Sequence, residues 1–356
     1  MSAPMIHHRG PEFRAVAERT ISRLAEVLRT ANDIVLFASS GTAAMEAAIV
    51  NVCSPGDRVL VASAGHFGER WAAIAASYGL DVVHLRYPWG ETLGAEDVAA
   101  KLEEAGAVQA VYVTHSETST GVVNDVRAIA ERLASSGALL VVDAVSSVGA
   151  VPLETDAWGL DVVVSGSQKG LMTPPGLALS SISEGARAAS ERAALPRFSL
   201  DWRRVGSFGA TPAVSLIRGL DAALGLILAE GLEATVDRHR RLGRACRAGV
   251  KAMGLELFSP DEDRSAVVTA IRMPAEIDGS AIVHSMRDRF GVTVVGGQGE
   301  LAGKIVRIGH IGHIDVFGVT TALAALELAL HEAGAEVERG VAVSAALEAY
   351  GERVPA

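Results

Sequence analysis

One lysine of the sequence lies in a segment whose residue types suit covalent chemistry. Lys169 follows a valine-rich apolar run and a few small residues, and Pro-Pro-Gly follows it at 174–176. Burial at the end of a strand disfavours the ammonium form of a lysine, and the neutral amine is the nucleophile that forms a Schiff base with an aldehyde. The segment alone fits equally well a lysine whose charged end reaches solvent. The chain has only three other lysines, Lys101, Lys251 and Lys304.

An aspartate closes the apolar run that precedes this segment. Asp143 directly follows residues 139–142, which are all leucine or valine. In a parallel sheet the carboxyl ends of the strands meet at one edge, where ligands bind. A buried carboxylate at that edge can keep a pyridine nitrogen protonated, which lets the ring withdraw electrons. An aspartate that caps a turn would explain the pattern as well.

A third segment has the composition of a phosphate site. Ser40, Gly41 and Thr42 stand between an apolar run and a helical pattern. Free amides at a helix N-terminus attract anions, and small side chains allow a close approach. The segment has neither a Walker motif nor the Gly-x-Gly-x-x-Gly fingerprint, so a nicotinamide-dependent dehydrogenase is disfavoured. An ordinary helix cap is the alternative.

The three segments belong to a chain in which strands and helices alternate from residue 14 to about 240. Continuous valine-rich runs bounded by glycine, serine or aspartate are typical of strands buried in a parallel sheet. The pattern predicts strands at 34–38, 59–63, 81–85, 108–114, 138–143 and 162–165. An α/β fold follows from this alternation.

A smaller unit is predicted beyond this alternation. Residues 230–253 form a long charged helical pattern that we expect to connect two parts of the molecule. Strands are then predicted near 267–271, 292–295 and 304–308, with helices near 279–290 and 319–333. A chain of 356 residues is too long for one minimal core. We predict a large domain over residues 1–240, with an N-terminal arm at 1–12, and a small α+β domain over residues 241–356.

Composition excludes several classes of partner. The net charge of -10 argues against a nucleic-acid surface, which needs clustered lysine and arginine. We expect no membrane segment, because no apolar run is long enough to span a bilayer, and residues 1–10 lack the apolar core of a signal peptide. Two cysteines, Cys53 and Cys246, make no disulfide framework, so we expect a cytoplasmic protein. His310 and His313 lack a third ligand at a suitable spacing, and we expect no metal site.

Taken in order, several segments resemble one known family. The chain is similar, from about residue 5 to residue 330, to the class V aminotransferases, which are fold-type I pyridoxal-phosphate enzymes. Within them it resembles the alanine–glyoxylate and serine–glyoxylate aminotransferase group. The matching segments are residues 40–42, 65–70, 114–121, 142–145, 165–169 and 306–310. The resemblance implies a mostly parallel seven-stranded sheet in the large domain, and pyridoxal 5'-phosphate as the cofactor.

The resemblance also implies a role for each residue of the site. Lys169 would bind the cofactor and move the proton at the substrate Cα, while Asp143 would pair with the ring nitrogen. Arg307 would bind the substrate carboxylate with its two-pronged donors, unless it is a surface-strand arginine. The other expected contacts are Phe67 and Val145 on the two ring faces, Thr118 at the ring hydroxyl, Ser40, Gly41, Thr42 and Gln168 at the phosphate, and Thr211 at the phosphate of a partner subunit. We therefore expect a homodimer with shared active sites.

The sequence departs from the family at a few positions. Phe67 stands where many relatives have tryptophan, and Thr42 where some have histidine. Phe208 replaces a tyrosine, so one phosphate contact from the neighbouring subunit is expected to be missing. Relatives usually begin with a Gly-Pro-rich segment that lines the substrate side, ahead of the region matching residues 4–9. This sequence starts without that segment, which leaves the choice of substrate open.

The expected activity is the transfer of an amino group from a small amino acid, alanine or serine, to a 2-oxo acid such as glyoxylate. The same scaffold could use aspartate or ureidoglycine as the donor, or act as a lyase or cysteine desulfurase. A desulfurase needs an exposed reactive thiolate, which neither cysteine's position provides. A non-catalytic binding protein on an aminotransferase scaffold is the alternative from another class.

Overall fold

The computed structural model describes residues 4–209, 211–259 and 265–351. Part of the predicted N-terminal arm (1–3), Ala210 beside Thr211, and the last residues of the predicted small domain (352–356) lie outside the described residues. The strands are β1 (Asp33–Phe37), β2 (Arg58–Ser63), β3 (Asp81–Arg86), β4 (Ala110–Thr114), β5 (Ser116–Glu117), β6 (Val122–Val123), β7 (Leu139–Asp143), β8 (Val162–Gly166), β9 (Ala178–Ile182), β10 (Val268–Arg272), β11 (Val295–Gly296) and β12 (Ile305–Gly309).

Helices follow most of the strands. They are α1 (Pro11–Leu28), α2 (Gly41–Val52), α3 (His66–Ser77), α4 (Ala95–Ala105), α5 (Val126–Leu133), α6 (Glu184–Arg192), α7 (Trp202–Val205), α8 (Val214–Glu230), α9 (Leu232–Ala252), α10 (Gly279–Phe290), α11 (Val316–Glu332) and α12 (Val341–Gly351). A short 3₁₀ helix covers Gly299–Leu301. In this part of the chain, no helix is long and apolar enough to cross a membrane.

The large sheet has seven strands in the order β1-β9-β8-β7-β4-β2-β3. The neighbours β2–β3, β2–β4, β4–β7 and β7–β8 are parallel, and only β9 runs against its two neighbours. The predicted fold class is therefore confirmed. The parallel order brings the carboxyl ends of β2, β4, β7 and β8 to one edge of the sheet.

Alternation of side chains along each strand places two apolar layers on the sheet. In β4, Val111 and Val113 pack on one face, against α1, α4, α5 and α8. Tyr112, between them, packs on the other face with α2, α3 and α6. Because both faces are covered, the central strands are apolar throughout, as the sequence pattern indicated.

A second sheet contains β10, β12 and β11 in antiparallel order. Its apolar core is a separate cluster formed with α9, α10, α11 and α12. The predicted strand at 292–295 is displaced and shortened to Val295–Gly296. The helix expected from residue 230 begins at Leu232, because Gly231, with φ 91, separates it from α8. The predicted boundary near residue 240 stays a prediction, since α9 crosses it without a break.

Candidate active site

A cavity of about 190 Å³ opens at the carboxyl edge of the large sheet. Four loops that follow β1, β2, β7 and β8 supply most of its wall. The structure brings together here most of the residues that the sequence singled out. These are Ser40, Gly41, Thr42, Phe67, Asp143, Val145, Gln168 and Lys169.

One end of the cavity is the N-terminus of α2. Ser40 is its N-cap residue but makes no side-chain capping bond, so the first amides of the helix face the cavity without a capping side chain. A Cβ at Gly41 would lie 2.8 Å from Cγ2 of Val145, which leaves room only for glycine. Uncapped amides in such a tight place suit an anion.

Asp143 lies on the floor of the cavity and is 4% exposed. Its Oδ1 accepts a hydrogen bond of 2.8 Å from the backbone N–H of Val145. The pKa of Asp143 is raised to about 7, mainly by burial and also by the nearby Glu117, although the Val145 bond, Arg70 and Lys169 act to lower it. A buried carboxyl with so little stabilisation favours a cationic partner.

Lys169 stands in the loop between β8 and β9, facing the same cavity. Burial lowers the pKa of its ammonium group, and the positive charge of Arg307 lowers it further, whereas Asp143 raises it. The neutral amine is therefore more available than in an exposed lysine. This is the state that nucleophilic chemistry requires.

Arg307 lies on β12 of the small sheet, is buried, and is close enough to Lys169 for its charge to act on that lysine. Its Nε donates to the carbonyl of Gly296 at 3.0 Å, and its Nη1 donates to the carbonyl of Thr118 at 2.6 Å. Both bonds fix the plane of the guanidinium group. Burial lowers its pKa, although Glu117 raises it. The predicted carboxylate-binding residue is thus a held, desolvated cation near Lys169.

Three predicted residues lie outside the lining of this cavity in the described part of the chain: Arg307, Thr118 and Thr211. Thr118 is buried and contacts Arg307 through its carbonyl. Thr211 lines a separate surface groove of about 580 Å³, together with Phe208 and Phe198. The roles predicted for Thr118 at the ring hydroxyl and for Thr211 in a partner subunit stay predictions.

Sequence reasoning missed the part played by Glu117. This buried carboxylate accepts bonds from the amides of Phe67 (3.0 Å) and Gly68 (2.9 Å), and from the amide and hydroxyl of Ser119. The Ser119 hydroxyl also accepts from the amide of His66 at 3.0 Å. Together they cap α3 from a remote loop and fix Phe67. Gly65 permits this, because a Cβ there would lie 2.5 Å from Cγ of Glu117.

Arg70 and Ser116 also line the cavity and were not predicted as site residues. The Arg70 guanidinium lies 4.9 Å from the Phe67 ring centroid and donates to the hydroxyl of Thr42 at 3.0 Å. Its spacing of three residues from Phe67 on a helix was the available signal. Ser116 Oγ is buried and has no hydrogen-bond partner among the described residues. A bound molecule could satisfy it.

The cavity therefore combines a helix N-terminus that suits an anion with a buried acid that suits a cation. Phe67 and Val145 supply the apolar surfaces that a ring needs. These features fit a phosphorylated aromatic molecule with a basic ring nitrogen and a group that Lys169 can attack.

Comparison with known proteins agrees with this geometry. The sequence profile of the family described as aminotransferase class-V matches residues 2–307. The chain is 43% identical to a Synechococcus sp. protein named "Soluble hydrogenase, small subunit", over 92% of this chain and 88% of that one. It is 39% identical to the L-aspartate–glyoxylate aminotransferase of Paracoccus denitrificans, over 98% and 91% of the two chains. The crystal structure of ureidoglycine–glyoxylate aminotransferase from Bacillus subtilis matches with a TM-score of 0.93 at 32% identity, covering 99% of this chain and 93% of that one.

Proposed function

Because this chain belongs to the class V aminotransferase family, we propose that it binds pyridoxal 5'-phosphate through Lys169 and transfers an amino group between a small amino acid and a 2-oxo acid. The observation that carries the proposal is the pairing of Lys169 and Asp143 in one cavity. Burial lowers the pKa of the lysine and raises that of the aspartate. The cavity thus offers a nucleophilic amine beside an acid that favours a cation.

Different residues of the cavity would bind the phosphate and the ring of the cofactor. The amides of Gly41 and Thr42, with Gln168, would hold the phosphate at the N-terminus of α2. Phe67 and Val145 would hold the ring and keep water from its faces. Ser116 Oγ, buried and without a partner among the described residues, is available to the ring.

Catalysis is assigned to three side chains. The bound cofactor supplies an electron-withdrawing ring that stabilises negative charge at the substrate Cα. Asp143 would keep the ring nitrogen protonated, and Lys169 would carry the proton from the substrate Cα to C4′ of the cofactor. Arg307 binds the substrate carboxylate and orients the Cα–H bond toward Lys169.

For substrates we propose alanine or serine as the donor and glyoxylate as the acceptor. The relatives named for glyoxylate support the acceptor, and the name of the Paracoccus relative makes aspartate the first alternative donor. A desulfurase is disfavoured, because burial raises the pKa of Cys53 to about 12 and that of Cys246 to about 11. Neither thiol is therefore a ready nucleophile. The Synechococcus relative is named for another activity, but the side chains of the cavity support transamination.

We also propose a cytoplasmic homodimer. The groove that contains Thr211 carries Phe198, which is 75% exposed in the single chain. An exposed aromatic side chain beside a groove suits a protein interface. Both cysteines are buried free thiols, as expected in a reducing compartment.

Lys169→Ala tests the proposal directly. Native protein saturated with pyridoxal phosphate should trap the cofactor on Lys169 after borohydride reduction, as peptide mass mapping would show. The variant should trap none there and lose turnover in a donor panel with glyoxylate and pyruvate. Lys101→Ala is the matched control, since Lys101 pairs with Glu104 at the surface. Normal turnover of Lys169→Ala would refute the mechanism.

A further inference from the structure

The segment that connects β12 to α11 contacts the backbone of the lysine loop. Gly312 has φ +88, and a Cβ there would lie 3.2 Å from the carbonyl oxygen of Lys169 and 3.6 Å from Cγ of Met172. The lysine loop itself is tightly turned, since Met172 N–H donates to the Lys169 carbonyl at 3.0 Å and Met172 has φ 53. The position of Gly312 therefore bears directly on the position of Lys169.

Helix α9 holds Gly312 from the other side through a buried imidazole. The amide of Gly312 donates to Nε2 of His239 at 2.9 Å, and Nδ1 of His239 lies 2.7 Å from the carbonyl of Thr235. Nε2 accepts, so the proton must be on Nδ1, where it is donated to Thr235. Burial lowers the pKa of His239 to about 4. The imidazole is thus neutral and fixed in one tautomer.

Arg238, the preceding residue of α9, contacts the same segment at its surface. Its Nη1 donates to the carbonyls of Gly312 (3.0 Å) and Ile314 (3.2 Å). Glu230 orients Arg238 through two bonds, at 2.7 Å to Nε and 3.0 Å to Nη2. The amide and the carbonyl of Gly312 are therefore both bonded to α9.

We propose that His239 is a positioning residue for Lys169, acting through the hydrogen bond by which its Nε2 holds Gly312 against the lysine loop. Gly312 follows Arg307 closely on one segment. Arg307 keeps its own bonds to Gly296 and Thr118, so the His239 bond acts on the lysine loop rather than on Arg307. The inference rests on the proposed function, because it takes Lys169 as the cofactor-binding residue.

Two substitutions of His239 separate its hydrogen bond from its bulk. His239→Phe fills the space but leaves the Gly312 amide without an acceptor, whereas His239→Gln keeps an acceptor oxygen. In His239→Phe we expect the dissociation constant of pyridoxal phosphate to rise and kcat to fall, each about tenfold, as the loss of one buried hydrogen bond implies. The KM for the donor should stay within about twofold, because Arg307 keeps its own bonds. His239→Gln should recover most of the cofactor affinity and of the visible absorbance of the bound cofactor.

His310→Phe is the control for a merely structural effect. His310 is an equally buried imidazole, and its nitrogens lie 2.9 Å from the Thr269 hydroxyl and 3.2 Å from the Ala266 carbonyl. This variant should lower thermal stability and leave the cofactor affinity unchanged. Arg238→Met is the second variant, to be used if His239→Phe does not fold. The Arg238 side chain is partly exposed (21%), so this change should be tolerated while it removes the bond to the Gly312 carbonyl. It should then show the same loss of cofactor affinity.

The results distinguish this inference from the proposed function. Native cofactor affinity and kcat in His239→Phe would overturn the role of His239, as would a His239→Gln variant no better than His239→Phe. An equal cofactor defect in His310→Phe would also overturn it. If native protein traps no cofactor on Lys169, the proposed function fails, and this inference fails with it.

Discussion

The ends of β4 and β7, neighbouring strands of the large sheet, each bury a carboxyl group, and the two groups are bonded very differently. Glu117, just beyond β4, accepts four hydrogen bonds from the start of α3 and from Ser119. Asp143, at the end of β7, accepts one from Val145 among the described residues. Both are almost fully buried, and burial raises the pKa of both.

We interpret this difference as the distinction between a structural acid and the acid that we propose to pair with the cofactor. The hydrogen bonds of Glu117 lower its pKa again and satisfy its oxygens without any ligand. Among the described residues, only Oδ1 of Asp143 accepts a hydrogen bond, so Oδ2 remains for a ligand. A buried acid with too few donors is costly unless a ligand compensates, so it marks a binding position.

Asp143→Asn should have the largest effect if this comparison is right. The amide cannot hold a proton on the ring nitrogen, so kcat should fall about 10²- to 10³-fold, the range seen when one charge-stabilising group is removed. The cofactor should still bind, because the α2 amides and Lys169 are intact. Steady-state kinetics and exchange of the Cα proton with solvent deuterium would measure the loss. Unchanged kinetics would remove Asp143 from its assigned role.

The pH dependence of folding should also distinguish the two acids. In protein without cofactor, burial raises the pKa of Asp143 from 3.8 to about 7. The unfolded chain therefore releases this proton at a lower pH than the folded protein, so stability falls as the pH rises between those two values. Asp143→Asn removes this dependence. Both proteins are compared without cofactor. As the pH rises from about 4.5 to 7.5, the free energy of unfolding of Asp143→Asn should increase by a few kcal/mol relative to that of native protein.

Urea unfolding of both proteins across that range would test the sign. A difference that does not change with pH would mean that Asp143 ionises in the folded protein as it does in the unfolded chain. The distinction between the two acids would then fail.

Glu117→Gln should have the smallest effect on chemistry and a clear effect on stability. The NH₂ group of Gln would face amide or hydroxyl donors that now bond to a carboxylate oxygen, and two donors cannot bond to each other. We expect a loss of about 2 kcal/mol in the free energy of unfolding, and a fall in kcat well below that of Asp143→Asn. Glu131→Gln, at an exposed ion pair with Arg127, is the control and should cost no more than about 0.5 kcal/mol. If Glu117→Gln reduced kcat as strongly as Asp143→Asn, Glu117 would belong with the catalytic groups.

Site residues that directly follow a strand could be predicted from the local sequence pattern. Lys169, Asp143 and Gly41 each follow an apolar run, and the ends of parallel strands must meet at one edge, so their approach could be expected. β9 was not predicted, because its sequence Ala-Leu-Ser-Ser-Ile has little of the valine-rich character of its neighbours. Its two serines are nevertheless fully buried. Position within the sheet outweighs propensity there.

Contacts between distant segments account for what the sequence did not reveal. Glu117 caps a helix that begins some fifty residues earlier, and no local motif encodes that bond. The bond between His239 and Gly312 joins segments more than seventy residues apart. Helix α12 gave no separate signal, and its place is set by packing against α9 and α11. Such contacts depend on the assembled fold.

The place of β1 at the sheet edge has a consequence for synthesis on the ribosome. Among the described strands, its one neighbour in the sheet is β9, with Asp33 opposite Ile182. About half the polypeptide must therefore emerge before the first strand can dock. Such non-local pairing slows folding and leaves the early apolar segments exposed meanwhile. A nascent chain shortened before residue 182 should consequently need chaperone protection, whereas a slightly longer one can begin to close its sheet.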